Sequence, residues 1–239
     1  MHIENRTSNQ ENKMKRKTLM SWSSGKDSAW ALYKLQQDPQ IEIDGLFCTM
    51  NSEYQRVAMH AIRVELLQRQ VESIGLPVKI INIPNPCTNE EYEEIMAQFV
   101  ESSKAVNIEY FAFGDLFLED VRRFREENLI DTGISPLFPI WETPTDKLSR
   151  EMIRGGLKAV ITCFDPEKLS GEFIGREYDE SFLDDLPGGV DPCGENGEFH
   201  SFVFDAPNFV WLIEISLGEV VQRDGYVFVD VVEDEPAHV

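Results

Sequence analysis

The sequence predicts an α/β fold in which a parallel sheet of about six strands is wound by crossover helices, followed by a smaller β-rich C-terminal domain. Two patterns predict it. From Thr18 to Phe164, short apolar runs alternate with segments whose apolar residues recur every three or four positions. Beyond Asp165 the composition shifts to Gly, Pro and acids, and only strand-like runs remain. The length of 239 residues suits one large domain, or one ordinary domain with an appendage.

Met1 to Lys17 is polar and unpatterned and contains Met14, so it reads as a disordered leader or an upstream extension of the true start. Thr18–Trp22 reads as the first strand and Ser28–Gln37 as a helix with Ala29, Leu32 and Tyr33 on one face. Ile43–Cys48 is a second strand. Val57–Ile74 is expected to be one helix, since Val57, Ala61, Val64, Leu67, Val71 and Ile74 share a face and Gly75 and Pro77 stop it. Val78–Ile83 is the third strand. The following helix opens at Thr88, whose hydroxyl can cap it while Glu91 reaches back, and buries Tyr92, Ile95, Met96, Phe99 and Val100.

Tyr110–Phe113 is the fourth strand, ending at Gly114 and Asp115. A helix over Leu118–Leu129, a strand over Ile134–Phe138 and a helix over Asp146–Arg154 stopped by Gly155 and Gly156 come next. Leu157–Phe164 is expected to complete the first sheet. In the C-terminal region the expected strands are Phe199–Phe204, Phe209–Leu217 and Tyr226–Val232, the last two joined by a turn at Asp224 and Gly225.

Composition excludes several function classes. With 22 Lys and Arg against 43 Asp and Glu, the net charge of −21 disfavours extended nucleic-acid binding, which is driven by counterion release from a basic surface. No run approaches the roughly 18 apolar residues of a membrane span, and the start has no apolar segment resembling a signal peptide, so a cytoplasmic protein without membrane attachment is expected. Cys48, Cys87, Cys163 and Cys193 have no metal-ligand spacing, and each reads as a small buried core residue.

The chemistry concentrates in Ser23-Ser24-Gly25-Lys26-Asp27-Ser28, a small polar loop between the first strand and helix. Small residues let backbone N–H groups approach an anion, the helix start adds partial positive charge, and Lys26 adds a full one. That is a phosphate cradle, although the Walker A spacing is absent. Asp27 can orient Lys26 or reach a metal, or merely favour the helix dipole. Thr49, Met50 and Asn51 follow the second strand at the sheet edge where open α/β proteins bind ligands, and backbone contacts to adenine are expected there. His60 is expected to pack near the nucleotide.

This loop resembles the SGGKDS loop of the N-type ATP pyrophosphatases, the PP-loop superfamily, with Ser24 where Gly is usual. The segment Gly194-Glu195-Asn196-Gly197-Glu198-Phe199-His200-Ser201 is similar to the GE(G/N)GE(Y/F)E(T/S) motif of the diphthine-ammonia ligase family, with His200 in place of the acid. Gly114-Asp115, Arg125-Glu126 and Pro139-Ile140-Trp141 are similar to further landmarks of that family, in order. The resemblance spans Thr18 to about Val232 and implies an adenine nucleotide α-hydrolase-like, Rossmann-like fold, with ATP bound over 18–165 and substrate over 166–239.

The implied activity is an AMP-forming amide ligase. A substrate carboxylate is adenylated, pyrophosphate leaves, and ammonia displaces AMP. ATP and Mg²⁺ are the implied cofactors. The partners are ammonium and a carboxylate on a small molecule or a modified translation factor, and a homo-oligomer is compatible with the sequence. The implied nucleotide-binding residues are Ser23, Ser24, Gly25, Lys26, Asp27, Ser28, Thr49, Met50, Gly114 and Asp115. The implied catalytic residues are Lys26, Asp27, Glu195, Glu198 and His200, the two glutamates holding a cationic or amine group and His200 serving as base or scaffold. The competing readings are a PP-loop tRNA sulfurtransferase, which needs a reactive cysteine and a basic surface, and a non-catalytic ATP- or AMP-binding regulator.

Overall fold

The computed structural model describes residues 15–51, 56–57 and 62–234. His60 and Ala61, and all of the N-terminal leader before residue 15, lie outside the described residues. Arg16 and Lys17 already belong to the first strand, β1 (Arg16–Ser21).

Five parallel strands form the first sheet: β1, β2 (Ile41–Asn51), β4 (Val78–Ile83), β5 (Tyr110–Ala112) and β6 (Ser135–Leu137). Their order is β4-β2-β1-β5-β6, and the two-residue β3 (Arg56–Val57) adds antiparallel to the far end of β2. β1 therefore has β2 on one side and β5 on the other. The chain winds outward in one direction and then restarts in the other, which makes the carboxyl end of β1 the topological switch point.

Alternation along the strands sends side chains to two cores. Leu19, Phe47, Ile81 and Phe111 face α3 (Asn89–Lys104) and α4 (Glu119–Leu129), where Phe99, Val100 and Leu129 meet them. Met20, Leu46, Cys48 and Ala112 face the opposite side, packing with α1 (Lys26–Gln36), α2 (Val64–Ile74), α5 (Thr145–Arg154) and the second sheet. The capping box expected at α3 is present: the Thr88 hydroxyl accepts from the Glu91 N–H, and Glu91 accepts from the Thr88 N–H.

The second sheet is antiparallel, ordered β8-β7-β10-β9 from β7 (Lys158–Phe164), β8 (Phe199–Asp205), β9 (Ile215–Arg223) and β10 (Tyr226–Glu233). Leu157–Phe164 is thus corrected from sixth strand of the first sheet to a central strand of the second, paired with β8 and β10. An apolar run buried on both faces looks the same in either setting, and only its partners distinguish them.

Three further expectations change. Val57 is in a strand rather than the helix, which starts at Val64. Phe209–Glu214 is not a strand. Helix α2 captures its backbone instead: Val210 N–H donates to the Ser73 carbonyl and Trp211 N–H to the Ser73 hydroxyl, which takes these donors away from a ladder. The C-terminal region also contains a 3₁₀ turn (Gly171–Phe173) and α6 (Glu180–Asp185), whose N-cap Asp179 accepts from Phe182 N–H at 2.7 Å. The β9–β10 turn holds Asp224 and Gly225 at φ 51° and 83°, the left-handed pair a two-residue hairpin turn requires.

Candidate functional site

The loop Ser23–Ser28 sits at the switch point and is locked internally. The Ser23 and Ser28 hydroxyls are 3.0 Å apart, and the Ser28 hydroxyl donates to the Gly25 carbonyl at 2.9 Å. Helix α1 starts at Lys26 without a side-chain cap, so its first turn presents N–H groups and partial positive charge to whatever lies beyond β1. Gly114, at the end of β5, packs against that turn so closely that a Cβ there would lie 2.9 Å from Asp27 C and Ser28 N. Ser24, where the resembling loops carry Gly, has φ 69° and is fully buried. A side chain in this region costs about 1 to 2 kcal/mol, so the chain meets with a serine a backbone demand that glycine meets without strain.

Lys26 is buried, its ammonium donating to Asp27 Oδ2 at 2.8 Å and to the Cys193 carbonyl, and lying 5.6 and 5.3 Å from the Tyr178 and Phe199 ring centroids. Burial alone would lower its pKa. The charge of Asp27, Cys193, the Asp27 hydrogen bond and Glu195 together outweigh this, and Lys26 is held above its ordinary value as a cation. Asp27 is held above the usual carboxylate range because burial and Asp191 outweigh its pairing with Lys26, and its Oδ1 is buried with no partner among the described residues.

A cavity of about 600 Å³ opens from this loop. It brings together Ser23, Lys26, Asp27, Ser28, Thr49, Gly114, Asp115, Glu195 and His200, that is, residues from both halves of the chain. One wall is apolar, formed by Phe47, Phe111, Phe113, Met96 and Val100. Its size and its mixture of an apolar wall with a few convergent polar groups suit a nucleotide-sized ligand. Ser24, Gly25, Met50 and Glu198 do not line it.

The two glutamates of the glycine-rich turn separate. Glu198 is buried beneath the turn, its carboxylate accepting from the N–H groups of Asp191 and Asn196 and from the Asn196 amide at 3.2, 2.9 and 3.1 Å. It shapes the turn. Glu195 faces the cavity and accepts from Leu116 N–H at 2.8 Å. Burial, aided by Asp27 and Asp115, pushes its carboxyl up to about 7 against the Leu116 hydrogen bond and Lys26. Burial and then the Lys26 charge push His200 down to about 4, so its imidazole is neutral at pH 7.

The Glu195 shift carries a stability prediction. A folded pKa near 7 against 4.5 means that the folded chain binds the extra proton, so this stability is present below about pH 4.5 and lost as pH rises through about 7. Glu195→Gln removes the titration while keeping an acceptor for Leu116. Between pH 5 and 8 the unliganded wild type is expected to lose about 2 kcal/mol of denaturant stability relative to the variant, after allowance for partial solvent exposure; the difference isolates Glu195 from His200, whose lowered pKa raises stability with pH in both proteins. Parallel curves would show that Glu195 does not titrate with the folded-state shift between pH 5 and 8.

Several participants were not named as site residues from the sequence. Arg125, part of a landmark that resembles the family's, lines the cavity 3.4 Å from Asp115 and over the Phe113 ring at 4.8 Å. Ser201 accepts from the Lys26 N–H at 3.2 Å, and Val203 N–H donates to the Ser24 carbonyl at 3.0 Å, so β8 grips the loop from the second sheet. Tyr226, beside the β9–β10 turn, reaches the cavity as well. Arg125 and Ser201 lie in family landmarks that give no hint of their roles, whereas Val203 and Tyr226 carry no local signal, since what they meet is far away in sequence.

Comparison with known proteins adds an independent line. Residues 15–134 match the diphthamide synthase N-terminal domain and residues 144–232 the diphthamide synthase C-terminal domain. The chain is 29% identical over 238 residues to the diphthine–ammonia ligase of Rattus norvegicus, covering 87% of this chain and 86% of that protein. Similarity to the diphthine–ammonia ligase of Mus musculus has the same extent and identity. With that of Homo sapiens it is 28% over 193 residues, covering 74% of this chain and 70% of the relative.

Proposed function

Because the chain belongs to the diphthamide synthase family, we propose that it is an ATP-dependent amide ligase that adenylates a substrate carboxylate and transfers ammonia to it. The observation that carries the reading is the single cavity joining the Lys26 loop to Glu195 and His200. In the first step a carboxylate oxygen attacks the α phosphorus of ATP and pyrophosphate leaves. In the second, ammonia attacks the acyl carbon, AMP leaves and one proton is released.

The first turn of α1, with Lys26, faces the charge that develops on the departing pyrophosphate. Thr49 and the apolar wall of Phe47, Phe111 and Phe113 receive the rest of the nucleotide, consistent with the carboxyl-edge position of Thr49 and Met50 on β2. Gly114 allows the loop its close packing, and Arg125 with Asp115 borders the same cavity.

Among the described residues, two cations, Lys26 and Arg125, line the cavity against five carboxylates: Asp27, Glu93, Glu101, Asp115 and Glu195. A polyphosphate entering such a site needs a divalent cation, and the unpartnered Asp27 Oδ1 is a hard oxygen suited to Mg²⁺. Among the described residues no group of three or more His, Cys, Asp or Glu side chains is arranged to hold a metal alone, which fits an ion held by one or two carboxylates together with phosphates. Asp27 and Asp115 would hold it, and Mg²⁺ would supply charge neutralisation at the phosphates.

Glu195, near 7, is matched to hold an ammonium and take its proton. His200, at about 4, accepts protons weakly and orients the acceptor as a neutral hydrogen-bonding group. Diphthine, named in the relatives, is the proposed carboxylate substrate, and ammonium the co-substrate. Among the described residues no helix is long and apolar enough to cross a membrane, and a cytoplasmic site of action is part of the proposal. The sulfurtransferase reading needs a thiolate. Burial pushes Cys48 and Cys163 up to about 12 and raises Cys193 as well, which leaves none of these three poised for attack.

Incubation with ATP, Mg²⁺, labelled ammonium and a diphthine-bearing acceptor is expected to yield AMP, pyrophosphate and labelled amide, read by phosphorus NMR and mass spectrometry. ADP with orthophosphate as the products would remove the adenylation mechanism. ATP binding without turnover would favour the regulator.

A further inference from the structure

Gln70 lies within α2, is fully buried, and does not line the cavity. A helix position this deep ordinarily carries an apolar side chain, as its neighbours Leu66, Leu67 and Ile74 do. Its amide instead joins three segments. Oε1 accepts from Trp22 Nε1 at 2.9 Å, and Nε2 donates to the Ser24 carbonyl at 3.1 Å and to the Val203 carbonyl at 2.7 Å. The amide orientation is unambiguous, because an indole N–H only donates and a carbonyl only accepts. Val203 closes the pattern by donating its N–H to the same Ser24 carbonyl at 3.0 Å.

Ser24, at the centre of this pattern, is the loop residue with φ 69°, and its buried hydroxyl has no partner among the described residues. An L-residue persists in that conformation only where its surroundings hold it. Two of the groups holding it are the Gln70 amide and the Val203 N–H, both grasping its carbonyl from outside the loop. We propose that Gln70 is a positioning residue for the nucleotide site: it keeps Ser24 left-handed and fastens the phosphate loop to β8, so ATP affinity depends on an amide outside the cavity. This rests on the reading of the loop as the phosphate site.

Gln70→Met keeps approximate volume and removes the N–H donors. Mg²⁺–ATP is titrated calorimetrically into the full chain, at a temperature where circular dichroism shows each variant folded. The Kd is expected to rise about tenfold in Gln70→Met, the scale of one lost hydrogen bond. In the Ser24→Gly background, where the backbone adopts φ > 0 unaided, the same substitution is expected to raise Kd about twofold or less. A Gln70 that only packs the core would lower the melting temperature in both backgrounds and leave ATP affinity unchanged, and that result overturns the proposal. An equal loss of affinity in both backgrounds overturns it too. Should Gln70→Met not fold, Gln70→Asn, which keeps an amide too short to span Trp22 and Ser24, is read in the same two backgrounds against the same outcomes. A wild type that binds no ATP overturns the phosphate-site reading itself, a result distinct from equal binding by wild type and variant.

Discussion

Lys26→Ala is expected to slow AMP formation from ATP by at least about 100-fold, the scale of losing one preorganised charge at a developing oxyanion. The same change is expected to lower stability by about 2 kcal/mol, because it leaves Asp27 and the Cys193 carbonyl without their partner. The stability loss is moderate because Asp27, already held above the usual carboxylate range, can take a proton in place of the lost cation. Lys26→Met separates the two effects. It keeps an unbranched apolar chain that reaches toward the Tyr178 and Phe199 rings the ammonium now faces, so more stability should return while turnover stays lost. Release of AMP from labelled ATP, with thermal unfolding of each variant, checks both. A folded variant with wild-type turnover would place the phosphates elsewhere.

Gly114→Ala is the second large effect. The added methyl would stand 2.9 Å from Asp27 C and Ser28 N and 3.0 Å from Asp27 O, all backbone atoms that no rotamer change can move. The first turn of α1 must shift, and that turn is the proposed anion-binding surface. ATP affinity is expected to fall at least about tenfold, with a stability loss of about 2 kcal/mol from overpacking. Gly171→Ala is the control, since a Cβ there meets nothing within 4 Å. Calorimetric ATP titration and denaturant unfolding of the two variants should diverge, and equal affinities would mean that the loop tolerates displacement.

The legible parts of this protein were those whose physics is local. Ser23–Ser28 lies between one strand and one helix, and six consecutive positions suffice to place small residues and a cation at a helix start, the arrangement from which the phosphate site is proposed. Thr88 and Glu91 announced their helix because both halves of a capping box lie three residues apart. Asp224 and Gly225 announced a hairpin because the turn demands two left-handed residues between two alternating strands. The family landmarks marked Glu195, Glu198 and His200 as a group, but not which of them faces the ligand.

That assignment, and three others, belonged to tertiary structure. Glu195 and Glu198 stand three residues apart in one turn. The turn folds one carboxylate under backbone N–H groups and leaves the other in the cavity, a choice made by backbone direction at Gly194 and Gly197, with φ 70° and 79°. The Ala159–Phe164 part of β7 is apolar enough to be buried in either sheet, and pairing with β8 and β10 decided which. Trp211 has strand-forming composition around it, yet Ser73 from α2 took its hydrogen bonds. Gln70 shares the helical spacing of Leu66, Leu67 and Ile74 but carries no motif signal, because its importance lies in Trp22, Ser24 and Val203 converging on one amide. Composition and spacing determine which elements form and where a contiguous loop can hold charge. Hydrogen-bond partners distant in sequence determine which surface each residue finally meets, because a buried polar group takes whatever partner the packed fold brings within about 3 Å.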